Sequence, residues 1–462
     1  MINRYGFYFF VVFFFCLLNI LFSSNYFTAD DFALTINCQD DFFTLVKKSF
    51  KAEFLPGFAD HHYRPITNIF YSLFGDLEKV YLSRFFIFLL HILNSLLVLS
   101  FFQKLNFSLN LSKIGSLLFL THPVIGNDIF WFSALGDVLS CFFALIAINL
   151  FIVNSWFFIF FISFAFLSKE SVIGLPFILL GVSLYRKDFR CKKYKIFIAF
   201  LVIFLLFVLR GSILETFLAG HGNESYFNFS IIHIVKYFIS FLLPFTFGEL
   251  ASYPFLFLYL LLYLFFVKQF LKFCLTKKCL LNVLLIFFSM LPVLFSYGSW
   301  YLYFPLVFVV MFFLNLLKDK NSSLICFVIL IFFSINLIKV GFQYKSTGVI
   351  LDKFIKSAKN DLQIIGVPIA LYTNVPFINS DLQFELAQKR VLGKNYKFVF
   401  KNQTVRNGFE RLEYDANYLY FKDNYSYFYN NSFKVLDYNI INKIKYVKTN
   451  DQILLFDNIL KE

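Results

Sequence analysis

Long apolar runs, separated by short polar clusters, extend from the N-terminus to about residue 342. A helix needs about 20 mostly apolar residues to cross the hydrocarbon core of a bilayer, so this pattern predicts about eleven transmembrane helices. The stretch 231–247 is also apolar, but Pro244 and the count of crossings favour a re-entrant or interfacial helix there. The predicted crossings lie near 5–23, 83–103, 112–125, 137–153, 154–168, 171–185, 196–210, 254–267, 280–296, 301–317 and 323–341.

Basic residues between the apolar runs predict the orientation of the chain. The segment 186–195 contains six Lys or Arg residues, and enrichment in these residues is typical of cytoplasmic loops. Two further basic loops, at 268–278 and 318–320, are placed in the cytoplasm for the same reason. Alternation of the crossings then puts the first loop, 24–82, and the C-terminal end of the chain on the opposite side.

The composition changes from about residue 343 to Asn, Lys, Asp and Tyr with scattered aliphatic residues. Segment 368–375 has the β-branched and apolar character of a buried strand, and 381–390 is compatible with a short helix. The sequence therefore predicts a mostly α protein with two domains. These are a polytopic helical bundle over 1–342 and a small extracytoplasmic α/β domain over 343–462.

The overall composition agrees with a chain whose solvent is lipid. Hydrophobic residues make up 59% of the chain and charged residues 15%, whereas a soluble domain carries roughly 25% charged residues. The net charge of +14 is explained by the cytoplasmic loops, so the lipid bilayer is an expected partner and nucleic acid is not. The seven Cys show neither a disulfide framework nor a metal-binding spacing. No cofactor is indicated, and a divalent cation remains an open alternative.

The first predicted outer loop begins and ends with residues suited to chemistry. Asp30 and Asp31 are adjacent carboxylates at the membrane surface, and such a pair can supply a general base or hold a cation or a substrate hydroxyl. The alternative is that they cap the next helix. At the end of the loop, Arg64 either anchors to lipid headgroups or binds phosphate oxygens through its planar guanidinium.

Further charged residues lie on the same predicted side of the membrane. The second outer turn carries His122, Asp128 and Asp137, and an acidic residue at that depth is costly unless it is paired or functional. The simpler interpretations are that Asp128 is solvated and that Asp137 caps the next helix. Lys169 and Glu170 either neutralise each other or present a cation to an anionic donor.

Tyr301 and Tyr303 lie in the aromatic segment 297–305 at an outer interface, where such residues ordinarily serve as anchors. No nucleotide-binding loop, zinc-protease motif or serine nucleophile elbow occurs in the chain. Nucleotide-driven transport and hydrolase chemistry therefore lack support.

Together these motifs resemble the C superfamily of polytopic glycosyltransferases (GT-C). The resemblance is closest to the family of transmembrane and tetratricopeptide-repeat O-mannosyltransferases and its bacterial relatives. Two departures stand out, because Ser299-Trp300 replaces the usual Glu-Arg pair and the C-terminal domain shows no tetratricopeptide pattern. The matching segments are Asp30-Asp31-Phe32, Tyr63-Arg64-Pro65-Ile66, His91 to Leu96, His122-Pro123-Val124 with Trp131-Phe132-Ser133 and Asp137, Leu167 to Ser171, and Tyr301 to Pro305.

The resemblance implies an inverting glycosyltransferase that uses a polyprenyl-phosphate sugar donor and a protein, glycan or lipid acceptor. It implies catalysis by Asp30 or Asp31 and a location in the bacterial inner membrane, with the active site and the C-terminal domain on the periplasmic side. The alternatives are a flippase or carrier, or a polymerase or ligase, for lipid-linked saccharides. The residues implied in donor-phosphate or substrate binding are Arg64, Lys169, Glu170, His122, Asp137, Tyr301 and Tyr303.

Overall fold

The structure is a computed structural model, and it describes the helical parts of the chain together with the backbone of a few short strands. The described residues are 4–23, 31, 41–51, 63–76, 79–214, 241, 276–291, 299–316, 326, 328–342, 344–345 and the strands beyond residue 368. The predicted crossing at 254–267 lies outside these residues, as does 231–247 apart from Phe241.

The described part of the chain is mostly helical. In chain order the helices are α1 (Arg4–Phe22), α2 (Phe42–Phe50), α3 (Pro65–Phe74), α4 (Val80–Lys104), α5 (Leu109–Thr121), α6 (Gly126–Phe130), α7 (Leu135–Ile152), α8 (Phe158–Ser168), α9 (Leu175–Arg186), α10 (Phe189–Leu214), α11 (Lys277–Met290), α12 (Tyr303–Leu316) and α13 (Val328–Phe342). Short 3₁₀ turns lie at Pro123–Ile125, Phe132–Ala134, Glu170–Val172 and Ser299–Leu302.

Four of the described helical segments are long and apolar enough to cross a membrane, which fits a membrane protein. They are Tyr5–Phe22, Val80–Lys104, Phe132–Ile152 and Phe189–Leu214. The expectation of a mostly helical protein with transmembrane helices is therefore confirmed at this coarser level. The other apolar helices are shorter than the roughly 20 residues that span a hydrocarbon core.

Helices α4 and α7 form the centre of the bundle, and polar side chains join them. Asn94 of α4 donates to the Val138 carbonyl at 3.1 Å, and Asn149 of α7 donates to the Leu97 carbonyl at 3.2 Å. Such contacts hold helices together where the surroundings are apolar. The outer helices α1 and α10 instead expose apolar side chains, among them Phe9, Phe13, Phe197 and Phe204. These faces suit contact with lipid.

The predicted basic loop lies at one end of the bundle. Helix α9 ends where Lys187 adopts a left-handed conformation with φ of 63°. Lys192, in the first turns of α10, donates to the Ile152 carbonyl at the end of α7 at 3.1 Å. Asp137 lies in the first turn of α7, so the basic loop and Asp137 occupy opposite ends of an 18-residue helix.

Seven short strands belong to the C-terminal part of the chain: β1 (Ile369–Thr373), β2 (Phe398–Phe400), β3 (Tyr418–Lys422), β4 (Tyr425–Tyr429), β5 (Val435–Leu436), β6 (Tyr446–Lys448) and β7 (Gln452–Leu454). The strand predicted within 368–375 corresponds to β1, which pairs in parallel with β2 and β3. The sheet continues antiparallel to β4 and β5, and β6 pairs with β7 in a separate ribbon. The helix predicted at 381–390 lies outside the described residues, and the α/β domain stays a prediction.

Candidate functional site: a charge cluster at one end of the bundle

Lys169 and Glu170, although adjacent, form ion pairs with different partners. Helix α8 ends at Ser168, and Lys169 adopts an extended backbone with φ of −161° and ψ of 133°. Successive side chains on extended backbone point in opposite directions. Lys169 therefore contacts Asp137, while Glu170 contacts Arg64. The interpretation in which Lys169 and Glu170 neutralise each other is wrong.

The pair formed by Lys169 and Asp137 is sealed from solvent. The Lys169 ammonium donates to the Oδ2 atom of Asp137, and the two side chains are only 6% and 5% exposed. The ammonium also lies 4.8 Å from the centre of the Tyr301 ring, a cation–π geometry. Asp137 does not cap α7, because the N-cap residue is Ala134. The buried carboxylate is instead neutralised by a lysine from another segment.

The pair formed by Arg64 and Glu170 is bidentate and more accessible. The Nε and Nη2 atoms of Arg64 donate to the two carboxylate oxygens of Glu170 at 3.0 and 2.6 Å, with side-chain exposures of 18% and 28%. Arg64 immediately precedes α3, whose first residue is Pro65, a residue favoured at a helix start. Burial opposes the charge of Arg64, but the Glu170 carboxylate outweighs it and raises the pKa of the guanidinium. Arg64 is therefore a permanent cation.

Asp128 is a buried acid beside these pairs. Its side chain is fully buried, and neither carboxylate oxygen has a hydrogen-bond partner among the residues that the structure describes. Burial, and then the negative charge of Asp137, raise the pKa of Asp128 well above its ordinary value, and Lys169 offsets part of this. Burial therefore favours the neutral, protonated form of Asp128. The interpretation of Asp128 as a solvated residue is wrong.

A third cation, Arg210, approaches the cluster from the end of α10. It is 4% exposed and interacts electrostatically with Glu170 and Arg64. Nothing in the local sequence marked Arg210 as a site residue. The only signal was an arginine inside an apolar helix, where an ionised side chain is costly and usually has a partner or a function.

Asp31, predicted as a catalytic base, lies in a separate buried contact. Its Oδ1 atom accepts from the backbone N–H and the hydroxyl of Ser133 at 2.7 and 2.6 Å. Its Oδ2 atom lies 3.7 Å from Nη2 of Arg84, and both side chains are almost fully buried. Arg84 also donates to the Phe130 carbonyl at 2.7 Å. Asp31 thus anchors the first loop to the bundle, whereas Asp30 lies outside the described residues.

His122 lies in a buried structural contact. Its Nδ1 atom accepts from the Val124 N–H at 3.2 Å, and its Nε2 atom lies 3.2 Å from the Phe241 carbonyl. The ring packs edge-on against Phe333. His122 is only 3% exposed, and such burial favours the neutral imidazole. His122 is therefore a neutral residue that joins separate segments of the chain.

Tyr301 and Tyr303, two residues apart, contribute to different parts of the structure. Tyr301 faces Lys169, whereas the fully buried hydroxyl of Tyr303 lies 2.7 Å from Nδ1 of His91. Asn94 donates to the same hydroxyl at 3.2 Å. Tyr301 thus lies beside the ammonium of Lys169. The hydroxyl of Tyr303 joins α12 to α4 and also interacts electrostatically with Asp128.

The charge cluster, defined as Arg64, Asp128, Asp137, Lys169, Glu170 and Arg210, combines cations with carboxylates in a largely buried setting. In such a setting, charged groups bind and stabilise anions more strongly than they do in water. Among the described residues, no group of three or more His, Cys, Asp or Glu side chains could hold a metal ion. The arrangement is suited to an anionic ligand.

Comparison with known proteins yields no match to a protein family, a curated protein or a solved structure. The function must therefore be argued from the charge cluster and the helical bundle.

Proposed function

We propose that the protein is an inverting glycosyltransferase that transfers a sugar from a polyprenyl-phosphate donor to an acceptor hydroxyl. In this proposal the chain is a multi-pass protein of the bacterial inner membrane, with about eleven crossings in a GT-C-like arrangement. The charge cluster and the C-terminal α/β domain, 343–462, face the periplasm.

The observation that carries the proposal is the convergence of charged residues from distant segments. Arg64 precedes α3, Asp137 begins α7, and Lys169 follows α8, yet their side chains meet through two ion pairs. Ion pairs in a largely apolar bundle are costly to desolvate and are usually retained for a function. Their position also supports the proposed orientation, since the basic loop lies at the opposite end of α7.

The proposed reaction uses cations of the charge cluster and a carboxylate of the first loop. The acceptor oxygen attacks the anomeric carbon, the bond from that carbon to the phosphate oxygen breaks, and polyprenyl phosphate leaves with the bonding electrons. Arg64 and Lys169 would stabilise the negative charge that develops on the leaving phosphate. A carboxylate of the first loop would take the proton of the acceptor hydroxyl.

We assign the role of general base to Asp30 and a positioning role to Asp31. The carboxylate of Asp31 is fully buried and already bound to Ser133 and Arg84, which leaves it poorly placed to reach an acceptor. Asp30 directly precedes this anchor in the sequence. The two adjacent aspartates would thus perform different tasks.

The test is sugar transfer by the purified full chain in lipid, supplied with undecaprenyl- or dolichyl-phosphate sugars. We expect release of polyprenyl phosphate, loss of release in Asp30→Asn without loss of stability, and loss of both release and stability in Asp31→Asn. The matched control is Asp76→Asn, which removes one carboxylate from a pair with Lys79 whose side chains are 43% and 57% exposed. Full activity in Asp30→Asn would refute the proposed base.

The same preparation separates the alternatives. Movement of a lipid-linked sugar between leaflets without transfer would favour a flippase or carrier over a transferase. Mass analysis of the product would distinguish glycosylation of a protein or lipid from extension of a polysaccharide. Absence of both transfer and flipping with every donor would refute the proposed function.

A further inference from the structure

The two ion pairs of the charge cluster differ in how far a ligand can reach them. Lys169 and Asp137 are 6% and 5% exposed, whereas Arg64 and Glu170 are 18% and 28% exposed. A ligand that approaches from outside the bundle therefore meets Arg64 and Glu170 first. Glu170 binds Arg64 through both carboxylate oxygens, and phosphate binds arginine through the same pair of parallel contacts.

The cluster also carries an excess of positive charge. Arg64, Lys169 and Arg210 are cations, while Glu170 and Asp137 are the ionised carboxylates. Asp128 is counted as protonated, because its carboxyl is fully buried and neither oxygen accepts a hydrogen bond within the described part of the chain. Three positive and two negative charges leave one positive charge, which a phosphodiester with a single negative charge would balance.

We infer that Glu170 occupies the anion site of Arg64 in the unliganded protein and that the phosphate of a lipid-linked sugar displaces it. This inference rests on the proposed function for the identity of the phosphate. The displaced carboxylate would keep a counterion, since Arg210 already interacts electrostatically with Glu170. In the absence of a donor the Glu170 carboxylate thus neutralises Arg64, and it competes with the donor phosphate for the same site.

Displacement of Glu170 by phosphate gives a reason for pairing Arg64 with a partly exposed carboxylate. An uncompensated guanidinium in a largely buried position would be costly, and a permanent, sealed ion pair would exclude the ligand. A partly exposed carboxylate avoids both problems, because partly exposed ion pairs contribute only modestly to stability. The sealed pair of Lys169 and Asp137 would remain in place and hold the ends of α7 and α8 together.

The test is direct binding of farnesyl phosphate and of inorganic phosphate to the purified full chain, measured by calorimetry. We expect Glu170→Gln to bind farnesyl phosphate roughly fivefold more tightly than the unmodified chain, since a competing charged contact is removed. Arg64→Gln should weaken binding by roughly tenfold, the scale of a lost bidentate contact. Asp76→Asn, which makes the same change in net charge, should leave the affinity unchanged.

Unchanged or weaker binding by folded Glu170→Gln would overturn the inference. If that variant does not fold, Glu170→Asp replaces it, because a side chain shorter by one methylene reaches Arg64 less well and should compete more weakly. Unchanged affinity of that variant would overturn the inference as well. A gain confined to inorganic phosphate would overturn the assignment to a lipid phosphate. Tighter binding without any sugar transfer by the unmodified chain would refute the proposed function and leave the anion site standing.

Discussion

Asp31 and Arg84 face each other inside the bundle, with 3.7 Å between Oδ2 and Nη2 and side-chain exposures of 0% and 1%. Removing one partner of such a pair leaves an uncompensated buried charge. We therefore expect Asp31→Asn to lower the free energy of unfolding by about 3–5 kcal/mol. The double variant Asp31→Asn/Arg84→Met should recover part of this loss. Denaturation in detergent measures both, and full stability of Asp31→Asn would contradict the anchoring role.

Single substitutions of Lys169 and Asp137 should lower the free energy of unfolding by unequal amounts. Lys169→Met leaves the buried Asp137 without its ion-pair partner, although Arg64 still interacts with it electrostatically. Asp137→Asn leaves Lys169 in contact with the Tyr301 ring. We expect Lys169→Met to lower the free energy of unfolding by about 3–5 kcal/mol and Asp137→Asn to lower it by less.

The matched control for Lys169→Met is Lys79→Met, which removes a lysine whose side chain is 57% exposed. The free energy of unfolding of this surface variant should lie within about 0.5 kcal/mol of that of the unmodified chain. Equal losses for Lys169→Met and Lys79→Met in the same unfolding assay would show that the buried pair contributes nothing.

Because the carboxyl group of Asp128 is buried, we expect the stability of the protein to depend on pH. Burial raises the pKa of the folded-state carboxyl above its ordinary value of 3.8, so the folded protein holds a proton that the unfolded chain releases. Stability should therefore fall as the pH rises from that ordinary value toward the folded-state pKa, by about 1.4 kcal/mol per pH unit. Asp128→Asn, which cannot ionise, should remove this slope in thermal unfolding between pH 5 and pH 8. Parallel pH profiles of the two proteins would contradict a buried neutral acid.

The charge pattern of the sequence assigned several residues to one predicted side of the membrane but did not predict how they pair. Arg64, Asp137, Lys169 and Glu170 were all assigned to the outer side, and the structure brings them together. Their pairing depends on the extended backbone at Lys169, which directs two adjacent side chains apart. That conformation arises from packing between distant helices, and no local sequence signal specifies it.

The roles of the two buried acids were harder to predict for a similar reason. Asp31 and Asp128 both belong to polar turns, and local sequence suggests that such residues are solvated or cap helices. Whether a carboxylate is enclosed depends on the segments that cover it, here α4 with Arg84 in the case of Asp31. The predictions from sequence did not connect Arg84 with Asp31.

Tyr303 should contribute to stability through its hydroxyl. The Tyr303 hydroxyl contacts His91 and Asn94 at 2.7 and 3.2 Å in a fully buried position. Tyr303→Phe leaves these groups without that partner and should cost about 1–3 kcal/mol. Tyr81→Phe, which removes a hydroxyl from a side chain that is 54% exposed, serves as the control. Equal stabilities of the two variants in thermal unfolding would contradict a role for the buried hydroxyl.

Gly174 and Gly136 offer a matched pair of substitutions that tests the packing around the charge cluster. A Cβ atom at Gly174 would overlap the Phe288 carbonyl oxygen of α11, so α9 or α11 would have to shift. We expect Gly174→Ala to lower the free energy of unfolding by about 1–3 kcal/mol.

At Gly136, within α7, the nearest atoms are 3.5 Å from the added carbon. Alanine there should be neutral or should stabilise α7 by about 0.5–1 kcal/mol, because alanine favours helix interiors. Denaturation of both variants under identical conditions measures the difference. A destabilised Gly136→Ala together with an unaffected Gly174→Ala would show that the helices next to the cluster pack differently.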